Sequence, residues 1–344
     1  MNGWLGRRSP AGRLIAATCI GGSCCLLAAC GSNDTSSTAA SGPAATQSSH
    51  AGKKVAIVIP DPSGAYHQMA CGARIEGQRL GVDVGDAQAP STAFDVAGEA
   101  RALQSVLASR PSGLIYTPAD AKAGAIGVKP AATGGIPVAN VDAKLDDPSL
   151  YASFVGSDGV AGAKTGGELL AKQIGGSGKV AAVGILPDNP ITVARITGFQ
   201  EAMKAYPDIK VLPVLYPEVD ANKIAAAATA LLTKNPDIKA FYTTNGDLIA
   251  PAVATALRGA RQDAKVKLVT WDLQAPTIKL LQSGTVTGSV VQQPREWGRL
   301  ALRQLVAEFD GKAVEKDVTV PTLTVTGDTI DDPATKKLYY TADC

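Results

Sequence analysis

Residues 113–142, GLIYTPADAKAGAIGVKPAATGGIPVANVD, decide the fold. Gly113 to Thr117 is a short apolar run of the kind a strand buried on both faces requires. Ala119 to Ala132 reads as a helix. Gly134 and Gly135 stop it where a positive φ is needed. Ile136 to Val141 is a second apolar run, and it ends on Asp142. Strand, helix and strand in thirty residues form one βαβ unit, whose crossover helix covers a face of a parallel sheet.

The same alternation extends outward on both sides. Upstream, Val55 to Ile59 is a strand stopped by Pro60 and Pro62. A helix follows over Tyr66–Leu80, a short strand over Val82–Val84, and a helix over Val96–Leu107 with Ala100, Leu103 and Leu107 on one face. Downstream a second series begins. Strands are expected at 153–155, 179–186, 211–215, 240–243, 266–271, 286–291 and, as one last strand, 318–325. Helices are expected between them at 160–174, 193–205, 222–234, 249–258, 277–281 and 296–309. Regular alternation with apolar strands means parallel sheets covered by helices. The strands are too many for one open sheet, so two sheets or a (β/α)8 barrel would hold them.

Before residue 53 the chain is not of this kind. Arg7, Arg8 and Arg13 precede an apolar, small-residue run from Leu14 to Ala29, and no acidic residue occurs before Asp34. This is an export signal, too short and too glycine-rich for a spanning helix. It ends in Leu27-Ala28-Ala29-Cys30, which resembles the lipobox of bacterial lipoproteins. That resemblance implies removal of residues 1–29 and acylation of Cys30. Residues 30–52 are almost all Ser, Thr, Ala, Gly, Asn and Gln, a composition that forms a flexible tether.

Without the three signal arginines the chain carries 30 basic and 31 acidic residues, net −1. No basic run or basic–aromatic interleaving occurs, so nucleic acid is not an expected partner. Cys19, Cys24 and Cys25 leave with the signal, and Cys71 and Cys344 remain as one pair. They are either two unrelated thiols or a bridge, and export permits the bridge. Such a bridge would restrict the unfolded chain by roughly 5 kcal/mol in the loop-entropy account.

Enzyme signals are weak. The two histidines are His50, in the tether, and His67, early in the first helix, so no His cluster for a metal and no nucleophile–base pair is suggested. Gly175-Gly-Ser-Gly-Lys179 lacks the first glycine and the Ser/Thr of a phosphate loop, and it follows a helix instead of a strand. No metal, cofactor or catalysis is expected. The polar residues placed just after strands are informative, because ligands of open parallel sheets sit beyond the strand carboxyl ends. These are Tyr66, Asp142, Asn245, Asp272 and Gln292, with Trp271 beside Asp272. Carboxylates and carboxamides bond hydroxyl groups, and aromatic faces cover the C–H side of a sugar ring. Asp120, Asp158, Asp220 and Asp247 read as helix caps.

Several of these stretches occur together in one known family. They are Val55-Ala-Ile-Val-Ile-Pro60, Gly64 to Ala73, Gly135 to Asp142, Gly156-Ser-Asp-Gly159, Ala194-Arg195 before Gly198-Phe199, Thr244-Asn-Gly-Asp247, Thr270-Trp-Asp272 and Val291-Gln-Gln-Pro294. In order and spacing the chain resembles the periplasmic sugar-binding proteins of the ribose-binding type, from about residue 54 to 325. The resemblance implies the type I periplasmic binding protein fold, two Rossmann-like α/β lobes joined by a multi-strand hinge. The first lobe is then 53–156 plus 293–320, the second 157–292 plus 321–327, and 328–344 is a tail returning to the first.

The resemblance also implies ligand contacts from Tyr66, Asp142, Arg195, Asn245, Asp272 and Gln292, with Trp271 stacking. A related subgroup with Lys-Cys-Gly-Ala in the first helix and a final acidic-Cys matches Cys71-Gly72-Ala73 and Asp343-Cys344, which supports the bridge. Three positions depart from the ribose pattern: Ala143 stands for an Arg, and Ala65 and Val219 for aromatics. The implied function is that of an ABC-importer binding protein, monomeric, closing on a sugar or sugar alcohol and delivering it to a membrane permease. The alternative is a sensor that presents a signal molecule to a receptor. Either would be exported and membrane-anchored, at the cell surface or in the periplasm.

Overall fold

The computed structural model describes residues 50–62, 64–187, 189–217, 220–341 and 343–344. The expected signal 1–29, the lipidation residue Cys30 and the tether up to residue 49 lie outside the described residues. His50, which the sequence places in the tether, is buried. Its Nε2 lies 2.9 Å from Asp310 Oδ1 and its Nδ1 3.3 Å from the Leu80 carbonyl, so packed chain reaches back at least that far.

The chain builds two six-stranded sheets in succession. The first holds β1 (Lys54–Val58), β2 (Asp83–Gln88), β3 (Gly113–Tyr116), β4 (Val138–Val141) and β5 (Ser153–Gly156), with β11 (Asp317–Thr319) at its edge. Its spatial order is β2-β1-β3-β4-β5-β11, all parallel. The second holds β6 (Gly178–Val183), β7 (Ile209–Val211), β8 (Ile238–Thr243), β9 (Lys267–Trp271), β10 (Gly288–Val291) and β12 (Leu323–Val325). Its order is β7-β6-β8-β9-β10-β12, parallel except for antiparallel β12. Two separate sheets rule out the barrel. The single last strand expected at 318–325 is two strands, one in each sheet. The chain changes lobe between them at Val320-Pro321, where Pro321 has no N–H to continue a ladder.

Helices cover both faces of each sheet. The first lobe carries α1 (Gly64–Leu80), α2 (Val96–Ala108), α3 (Ala121–Thr133) and α9 (Pro294–Phe309). The second carries α4 (Gly159–Gln173), α5 (Pro190–Met203), α6 (Ala221–Lys234), α7 (Ile249–Gly259) and α8 (Ala275–Gln282). Asp120, Asp158 and Asp220 accept from backbone N–H groups at the starts of α3, α4 and α6, as their capping reading expects. Glycine is required where α1 crosses α9. A Cβ on Gly72 would lie 1.9 Å from the Arg295 carbonyl oxygen, and one on Gly298 1.9 Å from that of Met69. No helix among the described residues is long and apolar enough to cross a membrane.

The tail runs over both lobes. Ile330 is buried in the second lobe's core, and Leu338 and Tyr339 pack against it, flanking the short helix α10 (Pro333–Lys336). Tyr340 N–H donates to the Leu273 carbonyl at 3.0 Å. The chain end then turns to α1, where Cys344 Sγ meets Cys71 Sγ with the Cα atoms 5.2 Å apart, within the span a disulfide takes.

Candidate functional site

Two aspartates stand at equivalent places in the two sheets. Asp142 follows β4, and its N–H donates to the Val155 carbonyl of β5 at 3.0 Å. Asp272 follows β9, and its N–H donates to the Val290 carbonyl of β10 at 2.7 Å. Each makes the last rung of its sheet and then turns with a positive φ, 62° at Asp142 and 66° at Asp272. The left-handed region costs a residue with a Cβ about 1 kcal/mol or more, and such strain clusters at ligand sites. Beyond Asp142 the Ala143 N–H bonds back to the Val141 carbonyl at 2.7 Å, a tight γ-turn.

Tyr66, in the first turn of α1, donates its hydroxyl to Asp142 Oδ2 at 2.9 Å. Burial, then the Asp142 charge, push the Tyr66 hydroxyl well above its ordinary range, so it remains a donor. Burial also raises the Asp142 carboxyl, opposed by the charge of Arg195 from the second lobe. Arg195 projects from α5, is 6% exposed and lies with its guanidinium 3.9 Å over the Trp271 ring. Its Nη1 donates to the Thr244 carbonyl at 2.6 Å and lies 3.9 Å from Asp272 Oδ2, while its buried Nε has no protein partner. Gln292, just after β10, donates to Asp272 Oδ1 at 3.1 Å.

Between the lobes lies a cavity of about 960 Å³ whose wall includes Tyr66, Asp142, Arg195 and Gln292. Asp272 is not in that wall. It lies behind Arg195 and Gln292, bonded to both or close to both. Two expected contacts sit elsewhere. Trp271 is fully buried in the second lobe's core, its Nε1 donating to the Tyr242 hydroxyl at 2.6 Å. One face of the ring is covered by the Arg195 guanidinium, so the stacking expected of Trp271 falls, in this structure, on Arg195. Asn245 accepts from the Leu248 N–H at 2.9 Å in the turn before α7 and stays outside the cavity wall.

Two aromatic residues absent from the sequence reading belong here. Phe94 is half exposed at the cavity, edge-on to Tyr66 at 6.4 Å, in a loop turned by its φ of 60°. Its only sequence signal is an aromatic directly before the Asp95 cap. Tyr340 donates its hydroxyl proton to Asp272 Oδ1 at 2.8 Å, and the same oxygen lies 3.1 Å from the Gln292 carbonyl. Burial and then Asp272 raise its pKa well above the ordinary range. Among the described residues, metal-ligating atoms come together at His67, Cys71 and Cys344, where the two sulfurs already meet each other.

The geometry agrees with what comparison with known proteins finds. Residues 55–313 match the family described as periplasmic binding protein domain. The D-allose-binding periplasmic protein of Escherichia coli K12 is 29% identical over 279 residues, covering 78% of this chain and 89% of that protein. A carbohydrate-transporter solute-binding protein from Agrobacterium radiobacter, solved with D-arabinose, superimposes with a TM-score of 0.74 at 28% identity, covering 83% of this chain and 98% of that one. An ABC-transporter solute-binding protein from Agrobacterium vitis, solved with α-D-tagatopyranose, gives 0.77 at 24% identity, covering 84% and 99%. These relatives are substrate-binding proteins and not enzymes. The chain belongs to the periplasmic binding proteins, as a type I member of the ribose-binding family.

Proposed function

We propose that the protein is the substrate-binding component of an ABC importer, that its ligand is a sugar or sugar alcohol, and that the lobes close on it by hinge bending. The carrying observation is that Tyr66 and Asp142 from one lobe and Arg195 from the other converge with Gln292 on one cavity, with Asp272 holding Arg195 and Gln292 from behind. Such a set offers acceptors and donors together, which suits a ring of hydroxyl groups. A buried guanidinium N–H without a partner is a donor that a ligand oxygen would satisfy. The relatives named for D-allose and solved with D-arabinose support a hexose or pentose. The absence of a side chain beyond Cβ at Ala143 leaves room where the ribose-type pattern has an Arg.

In this reading Tyr66, Asp142, Arg195, Asp272 and Gln292 contact or support the ligand, while Asn245 and Trp271 act through the turn and the core behind it. The lobes divide as 53–156 plus 293–320 and 157–292 plus 321–327, with 328–344 as tail. The chain is exported, loses residues 1–29, is held at a membrane by lipid on Cys30, carries a Cys71–Cys344 disulfide, works as a monomer and delivers ligand to a permease.

The test is a thermal-shift screen against D-allose, D-ribose, D-arabinose, other sugars, polyols, nucleosides and amino acids. A ligand at a hundredfold excess over Kd stabilises by about 2.7 kcal/mol. For a folded chain of nearly 300 residues that is a rise of roughly 4–5 °C. A shift by one sugar class supports the proposal. A shift by none of the sugars or polyols overturns it in favour of the sensor.

A further inference from the structure

Each strand-end aspartate is held by one tyrosine hydroxyl. Tyr66 holds Asp142 at 2.9 Å and Tyr340 holds Asp272 at 2.8 Å. Tyr66 belongs to the first lobe by sequence and by packing. Tyr340 does not belong to the second lobe in that way. It arrives from the tail, four residues before a chain end that is fastened to the other lobe. That end is gripped by several groups of the first lobe. Gln68 donates to the Thr341 and Asp343 carbonyls, Arg295 donates to the Asp343 carbonyl at 2.9 Å and to Gln68 Oε1, and Cys344 meets Cys71. Gln68 and Cys71 lie on α1, the helix that carries Tyr66.

We propose that the tail is a strap between the two halves of the ligand site, and that Tyr340 is a positioning residue for Asp272 whose placement depends on the Cys71–Cys344 link. The inference rests on the cleft being the ligand site.

The geometry says what the strap does. Asp272 is 5% exposed and accepts at Oδ1 from both Tyr340 and Gln292, which fixes its carboxylate and leaves Oδ2 toward Arg195. A hydrogen bond to a charged acceptor is among the stronger ones, and removing it from a buried carboxylate frees that group to turn. The Tyr340 backbone is itself tied to the second lobe through Leu273. From Tyr340 to Cys344 the chain reaches at most about 14 Å when fully extended, at 3.3–3.6 Å per residue. The strap therefore bounds how far the lobes part on the tail side, in addition to the three strand crossings near 157, 293 and 321. It also joins the two tyrosine–aspartate pairs by one short path, Tyr66 along α1 to Cys71, across to Cys344 and back to Tyr340.

The experiment compares the full chain with Tyr340→Phe and Cys344→Ser. Two readouts are taken well below each variant's melting temperature. The first needs no ligand: hydrogen exchange of the backbone amides over 268–273 and 288–293. The second is calorimetric Kd for whichever of D-allose, D-ribose and D-arabinose the parent binds. Cys344 is on the surface of the other lobe and does not line the cleft, so any change it causes in the second lobe travels through the tail. Exchange over 268–273 is expected to accelerate at least fivefold in Cys344→Ser, and Kd to weaken about tenfold in Tyr340→Phe and severalfold in Cys344→Ser. A tail that merely covers the surface would lower the melting temperature and leave Kd and the 268–273 amides unchanged, which overturns the proposal. If no sugar binds the parent, the ligand reading falls, while the exchange result still decides whether the strap holds Asp272.

Discussion

Replacing Gly298 by Ala adds one methyl group where two helices touch backbone to backbone. The new Cβ would stand 1.9 Å from the Met69 carbonyl oxygen and 2.8 Å from the Ala73 nitrogen. Ordinary carbon–oxygen contact begins near 3.3–3.6 Å, so the shortfall is about 1.5 Å. Neither obstacle is a side chain that can swing away, so α9 must back off α1. A gap of 0.5–1 Å forfeits a quarter to a half of the dispersion energy along the contact, here that of Met69, Ala73, Trp297, Ala301 and Leu302. Overpacking of this kind costs at the upper end of 1–3 kcal/mol, about 3, and the better helix propensity of Ala returns about 1. The net loss of about 2 kcal/mol lowers Tm by roughly 3 °C in a folded chain of nearly 300 residues. The assay is thermal and urea unfolding beside Gly259→Ala, at the end of α7, where an added Cβ meets nothing within 4 Å. That control should match the parent or exceed it slightly. Gly298→Ala melting within about 1 °C of the control would refute the close-contact reasoning.

Three further outcomes are expected. Because burial raises the Asp142 carboxyl, ligand affinity should fall on acidification with a midpoint above the ordinary 3.8, and Asp142→Asn should abolish that acid limb, as calorimetry across pH reads. The stability effect has the opposite sign: a raised folded pKa means a contribution present when the group is protonated and lost as pH rises through it. Arg195→Ala should uncover the Trp271 ring, shifting its fluorescence to the red, and should lose about 1–2 kcal/mol of cation–π contact together with ligand binding. Glu76 is held at about 2 chiefly by its hydrogen bonds to Arg79, with Arg303 adding to the effect. Glu76→Gln should therefore cost about 1 kcal/mol in urea unfolding at pH 7, the partner heads being screened, and the cost should vanish as pH falls from 4.5 toward 2.

The alternation of apolar runs and helical periods made the two-sheet α/β architecture legible, because strands buried on both faces are mostly apolar and carry no charged side chain between their ends. For the same reason their ends were legible, and Asp142 and Asp272 stand there. What an apolar run does not disclose is which face each side chain takes. Trp271 and Asp272 are neighbours in sequence, yet the ring enters the core and the carboxylate turns to Gln292, Tyr340 and Arg195. Asn245 was ambiguous between ligand and cap because a carboxamide after a strand suits either, and here the Leu248 N–H takes it. The strand at 318–325 looked continuous because Val320-Pro321-Thr322 is no more polar than its flanks. The change of sheet there is a matter of tertiary pairing. Tyr340 was out of reach for a different reason. It meets Asp272 across 68 positions from an irregular segment, where no periodicity says what faces what.

The placement of α9 and β11 in the first lobe has a consequence for the order in which the protein is made. Trp297, Ala301, Leu302, Leu305, Val318 and Val320 are core residues of that lobe, yet all lie in the last 48 of the 344 residues to emerge. The second lobe's strands β6 to β10 lie in one uninterrupted stretch from 178 to 291 and need only the edge strand β12 from beyond it. Contiguous contacts close fast, whereas joining α1 to α9 must close a loop of more than two hundred residues. Synthesis therefore starts with the first lobe and completes it after the second. Until α9 has appeared, the faces of β3, β4 and β5 that it will cover stay open to water and to other chains.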